Sequence, residues 1–539
     1  MNEILKRLLE KRELDESFLT PKYEDLASPR EFLDMEQAGE RIAQAVEQGE
    51  RVLIYGDYDA DGVTATTIMY DALKLAGVRE VLTMLPDRFR DGYGMNMRVV
   101  DLVEKSGVNL VITVDCGSNN AEVVEALGAR GVNVIVTDHH EVMGELPQAT
   151  AIINPKREGT KNLELRELCG AGVAFMVARE LVERGLIPKG QEKWLLDLVL
   201  IGTLCDSMVM RGQNRILGFY GLKVLEKTRR MGLLELMKVA GVKQITSGAV
   251  GFQIGPRLNA AGRMASAEVA LKLLMAKTRV EAVALAAELE ALNQKRREEQ
   301  QRGAREVEEQ GVDEEPVIVV AGDWHEGVLG IIAGRLVEKY RRPAFVLAPA
   351  ENGEILKGSG RSFGEFNLAE ALSECQNSLL AGGGHAGACG VKVLKENLPI
   401  FREEVNKFYK KLGLKNQERF LEKQADINVT EVDGLDINLY EQLKKLEPFG
   451  EGNLEPVFRL SEMTVLKVQR MGREQNHLRL VVRGESDESM SLVAFYALEE
   501  WLEIQVGERI DVSITLTDNE WRGERRVEGQ ILEMIAIEQ

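Results

Sequence analysis

The stretch LIYGDYDADGVTATTIMYDAL, residues 53–73, sets Asp57, Asp59 and Asp61 at alternate positions directly behind an apolar run. The run reads as a buried strand and the segment from Gly62 onward as a helix. Outward from it one pattern repeats over residues 51–155. RVLIYG, EVLTMLP, NLVITVD, VNVIVTD and TAIINP read as strands, with helical stretches such as NAEVVEALGARG between them. Continuous apolar strands alternating with helices predict an α/β fold built on a parallel sheet covered on both faces. In such a sheet the ligand crevice lies beyond the carboxyl ends of the strands, so residues there converge from distant parts of the chain. Asp57, Asp59 and Asp61 follow VLIY, Asp115 follows LVITV, and Asp138, His139 and His140 follow VIVT. Asp206 follows the apolar segment LLDLVLIGTLC.

That much negative charge in one place repels itself unless cations neutralise it, and buried unpaired carboxylates are costly. A single DxDG is equally well a solvated turn, and VDCG alone reads as structural. Two adjacent histidines after a strand, in a chain with five histidines, are harder to explain that way. Oxygen donors with one or two imidazoles suit manganese or magnesium. About six candidate ligands exceed the usual protein share of one ion, which predicts two. Gly62 would permit the close backbone approach that the crowded turn needs.

The 539 residues suit two to four domains. With 44% hydrophobic and 29% charged residues the chain has a globular balance, without an 18-residue apolar run or a signal-peptide block, so a cytoplasmic protein with no membrane partner is expected. Five scattered cysteines form no C-x-x-C pair and read as packing residues. Lys+Arg at 68 against Asp+Glu at 87 gives a net charge of −19, which excludes coating nucleic acid by bulk attraction and leaves local basic patches or bound cations. Residues 1–240 are read as the metal-bearing domain with its N-terminal extension. Residues 241–312 carry a phosphate-contact segment and a long connector helix, interrupted at most once. A second α/β domain is expected over 313–415 and a small β-barrel over 416–539.

Basic residues cluster in several motifs. PDRFRDGYG carries Arg88 and Arg90, whose planar forks suit phosphate oxygens. GPRLNAAGR offers Arg257, Asn259 and Arg263, and KGSGRS reads as a glycine-rich turn presenting Ser359, Arg361 and Ser362 as an anion nest. Tyr93, Phe363 and Phe366 are candidates for base stacking, with core packing the default for each. NQKRREEQQRGARE reads as an exposed helix face laced with i,i+4 pairs. In the barrel, EWRGERRVEG places Trp521, Arg522, Arg525 and Arg526 on a hairpin that is either a binding turn or plain surface.

GDYDADG, VDCG, TDHH and GTLCDSM, in this order, resemble the four motifs of the DHH phosphoesterase superfamily. PDRFRDGYG, GFQIGPRLNAAGRM, KGSGRS, GGGHAGACG and LEPFGEGN extend the similarity over nearly the whole chain to its RecJ branch of single-strand-specific exonucleases. Leu454 and Cys389 depart from the residues usual there. The resemblance implies DHH, DHHA1 and oligonucleotide-binding barrel domains, and metal-dependent 5′-to-3′ digestion of single-stranded DNA to 5′-mononucleotides. It implies Asp57, Asp59, Asp61, Asp115, His139 and Asp206 as the metal shell, with Asp115 bridging. His140 would contact the scissile phosphate or support the shell, and Asp138 would orient a histidine. His385 would lie near the scissile phosphate, and Arg88, Ser359 and Arg361 would form a 5′-phosphate pocket. A monomer is expected, with a single-strand-binding protein or a helicase as partner. The alternatives are a hydrolase of short oligonucleotides or cyclic dinucleotides, and a non-catalytic DNA-binding subunit.

Overall fold

The computed structural model describes residues 2–92, 94–350, 353–414, 425–521 and 524–537, leaving aside the side chains of 520, 521 and 524. Tyr93 and Arg522, and the side chain of Trp521, therefore lie outside what is described. Strands β1 (Arg51–Tyr55), β2 (Glu80–Met84), β3 (Leu110–Val114), β4 (Asn133–Thr137) and β5 (Ala151–Ile153) form a parallel sheet in the order β2-β1-β3-β4-β5. Successive side chains of a strand face opposite ways. Val52 and Ile54 enter one core with the helices Ala60–Leu75, Gly170–Glu183 and Leu196–Cys205, while Leu53 and Tyr55 enter a second with Val99, Val123 and Leu127. Both faces are covered, as the unbroken apolar runs require. The strand order reverses between β1 and β3, the position where a crevice opens in such sheets. Asp57 and Asp115 follow those two strands.

Strands β6 (Ile318–Ala321), β7 (Ala344–Pro349), β8 (Ile355–Arg361), β9 (Leu379–Gly384) and β10 (Ala388–Leu394) make a second, mixed sheet in the order β6-β7-β8-β10-β9. The connector is the predicted long helix with one break. Glu268–Met275 ends, and Arg279–Gln310 restarts with Thr278 accepting a hydrogen bond from Glu281 N–H. Its charged face carries Arg302 with Glu299 and Glu306, and Gln294 with Glu298.

Strands β11 (Ile427–Val429), β12 (Phe458–Met471), β13 (His477–Arg483), β14 (Ser489–Ala494), β15 (Arg509–Trp521) and β16 (Glu524–Ala536) follow. Pairing of β12 with both β13 and β15 closes five of them into a barrel, with β11 added on β12. Leu5, Leu8, Leu9 and Leu19 sit in the core of this barrel, packed with Leu439, Phe458 and Leu480. The helix Glu3–Lys11 thus belongs with the barrel and not, as the sequence division has it, with the first domain. Apolar leucines on one face of a short helix say only that the face is buried, not against what.

Barrel and first domain meet at one buried cation. Arg215 stacks on Phe18 and donates to the carbonyls of Phe18, Lys445, Leu446 and Glu447. Met210 N–H and Arg211 Nε bond the carbonyls of Glu451 and Gly452 beside it. Among the described residues no helix is long and apolar enough to cross a membrane.

Candidate metal centre and cleft

The turn after β1 is shaped by what it cannot hold. A Cβ on Gly62 would lie 2.7 Å from the backbone of Asp57, so glycine alone allows the Ala60–Leu75 helix to start against that residue. Asp59 caps this helix, its Oδ1 accepting from Gly62 N–H at 3.0 Å, and Asn259 Oδ1 accepts from Ala60 N–H at 2.9 Å. Asp61 is 2% exposed, and its carboxylate accepts from Gly170 N–H (2.6 Å) and Ala171 N–H (2.9 Å) in the first turn of the Gly170–Glu183 helix. A helix N-terminus suits a carboxylate. Asp115 stands at φ +62°, a left-handed conformation uncommon outside glycine that costs about 1 kcal/mol or more. A Cβ on Gly170 would come within 2.5 Å of the Asp115 side chain. The segment CGAG therefore fixes two carboxylates at once, a role the sequence signalled only as a glycine beside a helix start.

His139 Nε2 lies 3.1 Å from Asp115 Oδ1, 3.5 Å from Asp206 Oδ2 and 3.9 Å from Asp61 Oδ2. Asp206 caps the C-terminal end of the Leu196–Cys205 helix, which is buried from Leu196 through Thr203. Asp138 Oδ1 accepts from the backbone N–H of His139 and His140 and meets His140 Nδ1 at 2.8 Å, while its Oδ2 takes Ser118 N–H. Donor atoms fall into three sets, each within 4.8 Å: Asp57, Asp59 and Asp115; Asp61, His139 and Asp206; Asp115, His139 and His140.

Burial and mutual repulsion govern the protonation of this cluster. Burial, then Asp59, push Asp57 well up; burial, then Asp61, raise Asp115 in the same way. Asp61 is pushed up to about 6 by burial and Asp59, and Asp206 to about 8 by burial and Asp61. Burial, with the neighbouring His140, lowers His139 to about 3, so its ring is neutral. For His140 burial opposes charge, but the hydrogen bond and charge of Asp138 prevail and raise it; Asp138 itself is held low by the same bond against its own burial. Asp57 Oδ1 and His139 Nδ1 are buried without a hydrogen-bond partner among the described residues. Crowded carboxylates that resist ionising, beside a neutral imidazole, fit divalent cations with oxygen preference.

A basic wall faces the acidic one. Arg88 lies over the Tyr58 ring at 4.3 Å, its Nε buried without a partner. Burial, then the charge of Arg88, bring Arg263 down to about 10; burial lowers Arg361, with Arg88 again opposing its charge. Three guanidiniums that repel one another call for an anion between them. Arg361 Nη1 donates to Ser359 Oγ at 3.1 Å. Both lie on strand β8 and not on a turn, because a Cβ on Gly358 or Gly360 would strike Leu347 or Phe345: these glycines serve sheet packing. Phe89 meets His325 edge-on at 5.6 Å across the two domains, a contact the sequence did not suggest.

Of the remaining candidates, Arg257 departs from expectation and the others divide between core, cleft and surface. Arg257 is 4% exposed, paired with Glu290 on the connector helix and donating to the Gln253 carbonyl, so it faces inward and not toward a ligand. Asn259 has its carboxamide oxygen committed to the acidic turn. His385 sits on the exposed turn between β9 and β10, outside the three donor sets. Phe366 is 1% exposed and packs on Phe408 and Tyr409. Arg525 pairs with Asp518 and Glu441, as a surface hairpin would.

Comparison with known proteins defines the class. Residues 51–203 match the DHH family, N-terminal domain, residues 314–411 the DHHA1 domain, and residues 426–533 the RecJ OB domain. The single-stranded-DNA-specific exonuclease RecJ of Dickeya dadantii is 34% identical over 91% of this chain and 88% of its own length. That of Bacillus subtilis is 36% identical over 97% of this chain, which spans 66% of the relative. The crystal structure of Thermus thermophilus RecJ in complex with Mn2+ superposes with a TM-score of 0.84 at 29% identity, covering 100% of this chain and 76% of that one. This chain belongs to the RecJ family.

Proposed function

We infer that the chain is a divalent-metal-dependent exonuclease that degrades single-stranded DNA from its 5′ end to 5′-mononucleotides, in DNA repair and recombination. The observation that carries this reading is the overlap of the three donor sets: Asp115 links one pair of them and His139 another, which supports two adjacent cation positions. Manganese or magnesium ions, when bound, supply an activated water and neutralise charge developing on the phosphoryl oxygens. The chain's residues arrange that chemistry. Asp57 and Asp59 serve one position, Asp61, His139 and Asp206 the other, and Asp115 lies between. The backbone N–H groups of Gly170 and Ala171 keep Asp61 from swinging out as phosphate enters.

His140, held through Nδ1 by Asp138, turns its other nitrogen to the scissile phosphate. Arg88, Arg263, Ser359 and Arg361 hold the terminal phosphate at a fixed distance from the acidic wall, which sets cleavage one nucleotide inward. His385 approaches the scissile phosphate from the second domain. A cleft bounded by both domains admits an unpaired strand and rejects a duplex by its width. Duplex DNA must be opened first, so a helicase or a single-strand-binding protein is the class of partner that supplies the substrate; the enzyme acts as a cytoplasmic monomer.

The test is digestion of end-labelled oligonucleotides with manganese or magnesium, with and without a 5′-phosphate, against Asp115→Ala. Mononucleotide release from single strands alone, abolished in the variant, is expected. Equal digestion of blunt duplex, or digestion in the presence of chelator, would remove the reading.

A further inference from the structure

Residues 247–264 form one helical stretch that costs more than its fold requires. Ser247–Ala249 begins it, Val250–Ile254 is a single π-helical turn, and Gly255–Met264 completes it. Two glycines, Gly248 and Gly251, occupy helical backbone with no positive φ, and a Cβ at either would meet open space: nothing lies within 4 Å of Gly251, and only Thr246 Oγ1, at 3.7 Å, near Gly248. Neither turn geometry nor close packing explains them, and glycine in a helix is worse than alanine by about 1 kcal/mol. Beside them Phe252 is 81% exposed, while Val250 and Ile254, on the opposite side of the turn, are fully buried. A π-turn, two unneeded glycines and a bare aromatic ring within seven residues are three separate penalties. Such a turn is often found where a site needs it.

The stretch lies between the barrel and the acidic cluster. At its start, Ser247 N–H donates to Glu447 Oε2 and Ser247 Oγ accepts from Phe449 N–H, both on the turn through which the barrel docks. Further along, Gly255 abuts Cys205, next to Asp206, and Asn259 holds Ala60 of the acidic turn. Pro256, Asn259 and Arg263 are the partly exposed residues that continue the side of Phe252 toward the arginine cluster. From Phe252 to Arg263 the helical rise is about 16 Å, the reach of a few nucleotides of extended strand.

We propose that Phe252 is a positioning residue whose ring stacks on a base of the bound strand a few nucleotides to the 3′ side of the cleavage point, between barrel and metal centre, with Gly248 and Gly251 keeping the N-terminal flank of the ring bare. Stacking on one ring is indifferent to base identity, as digestion of strands of any sequence requires. The inference rests on the exonuclease reading above.

The test compares Phe252→Ala, Phe252→Leu and Phe252→Trp. Strands carrying 2-aminopurine at successive positions from a 5′-phosphate are bound to each variant in an Asp115→Ala background, and turnover is measured with Asp115 intact. Expected are loss of fluorescence quenching at one or two adjacent positions in the Ala and Leu variants, recovery in Trp, and a KM for long strands raised about tenfold with kcat held. A 5′-phosphorylated dinucleotide, too short to reach the ring, should be cleaved at the unaltered rate. Unchanged quenching and KM in Phe252→Ala overturn the proposal, as does an equal loss on the dinucleotide, which would mark a merely structural role. If the unaltered chain fails to digest single strands, the functional reading fails instead.

Discussion

Asp61 and Asp206 show how single residues couple protonation to metal occupancy. Without cations they are pushed up to about 6 and about 8, by burial first and neighbouring carboxylates second. A folded pKa raised above the unfolded value means that the native chain holds protons the unfolded one releases. The associated stability is complete below the unfolded pKa, near 4, and is lost as pH rises through about 6 and about 8. Manganese binding needs the deprotonated forms, so the rise in Tm on adding manganese should grow between about pH 6 and about pH 8; thermal-shift measurements at fixed free metal check this, and an increment that shrinks with pH contradicts it. The acidic residues were legible because each follows a recognisable apolar segment. The backbone clamp on Asp61 and the contact of Gly170 with Asp115 were not, because the first joins segments more than a hundred residues distant in sequence and the second depends on the space left around one atom.

Elements explain where the sequence reading of basic residues succeeded and where it turned. The motif GPRLNAAGR is a helix, and a helix sends its arginines to different sides: Arg263 toward the guanidinium cluster, Arg257 into the seam with the connector. Composition names the residues, and only the neighbouring helix decides their facing. Arg257→Ala should therefore lower stability by up to about 3 kcal/mol, read by urea unfolding, with single-strand affinity at permissive temperature little changed. A large loss of affinity without loss of stability would return Arg257 to the binding surface. KGSGRS misled in the same manner. Glycines that favour turns also fit where strand and sheet core approach too closely for a side chain, and the two uses look alike until Phe345 and Leu347 are seen beside them.

Across the whole molecule, the alternation of apolar strands and helices and the late run of short strands were enough to anticipate a parallel sheet, a second α/β unit and a closed barrel. Their mutual arrangement was not, since it hangs on polar contacts such as those of Arg215, whose side chain is buried and brought down to about 10 by that burial. Removing it leaves four carbonyls without their donor. Arg215→Ala should cost roughly 3 kcal/mol or more, read by urea unfolding, and loosen the barrel from the first domain, with a lost preference for long strands over dinucleotides. Arg215→Lys should recover only part. An Arg215→Ala enzyme with unaltered length preference would show that the barrel needs no such anchor.

The leucines of Glu3–Lys11 complete a core made mostly of residues beyond 426, and Lys11 bonds the carbonyl of Ala425, 414 residues away. During synthesis at ordinary ribosomal speeds this greasy face therefore waits on the order of 20–80 s for its partner to emerge. The nascent chain carries an adhesive segment throughout that interval, silenced only by a domain synthesised some 414 residues later.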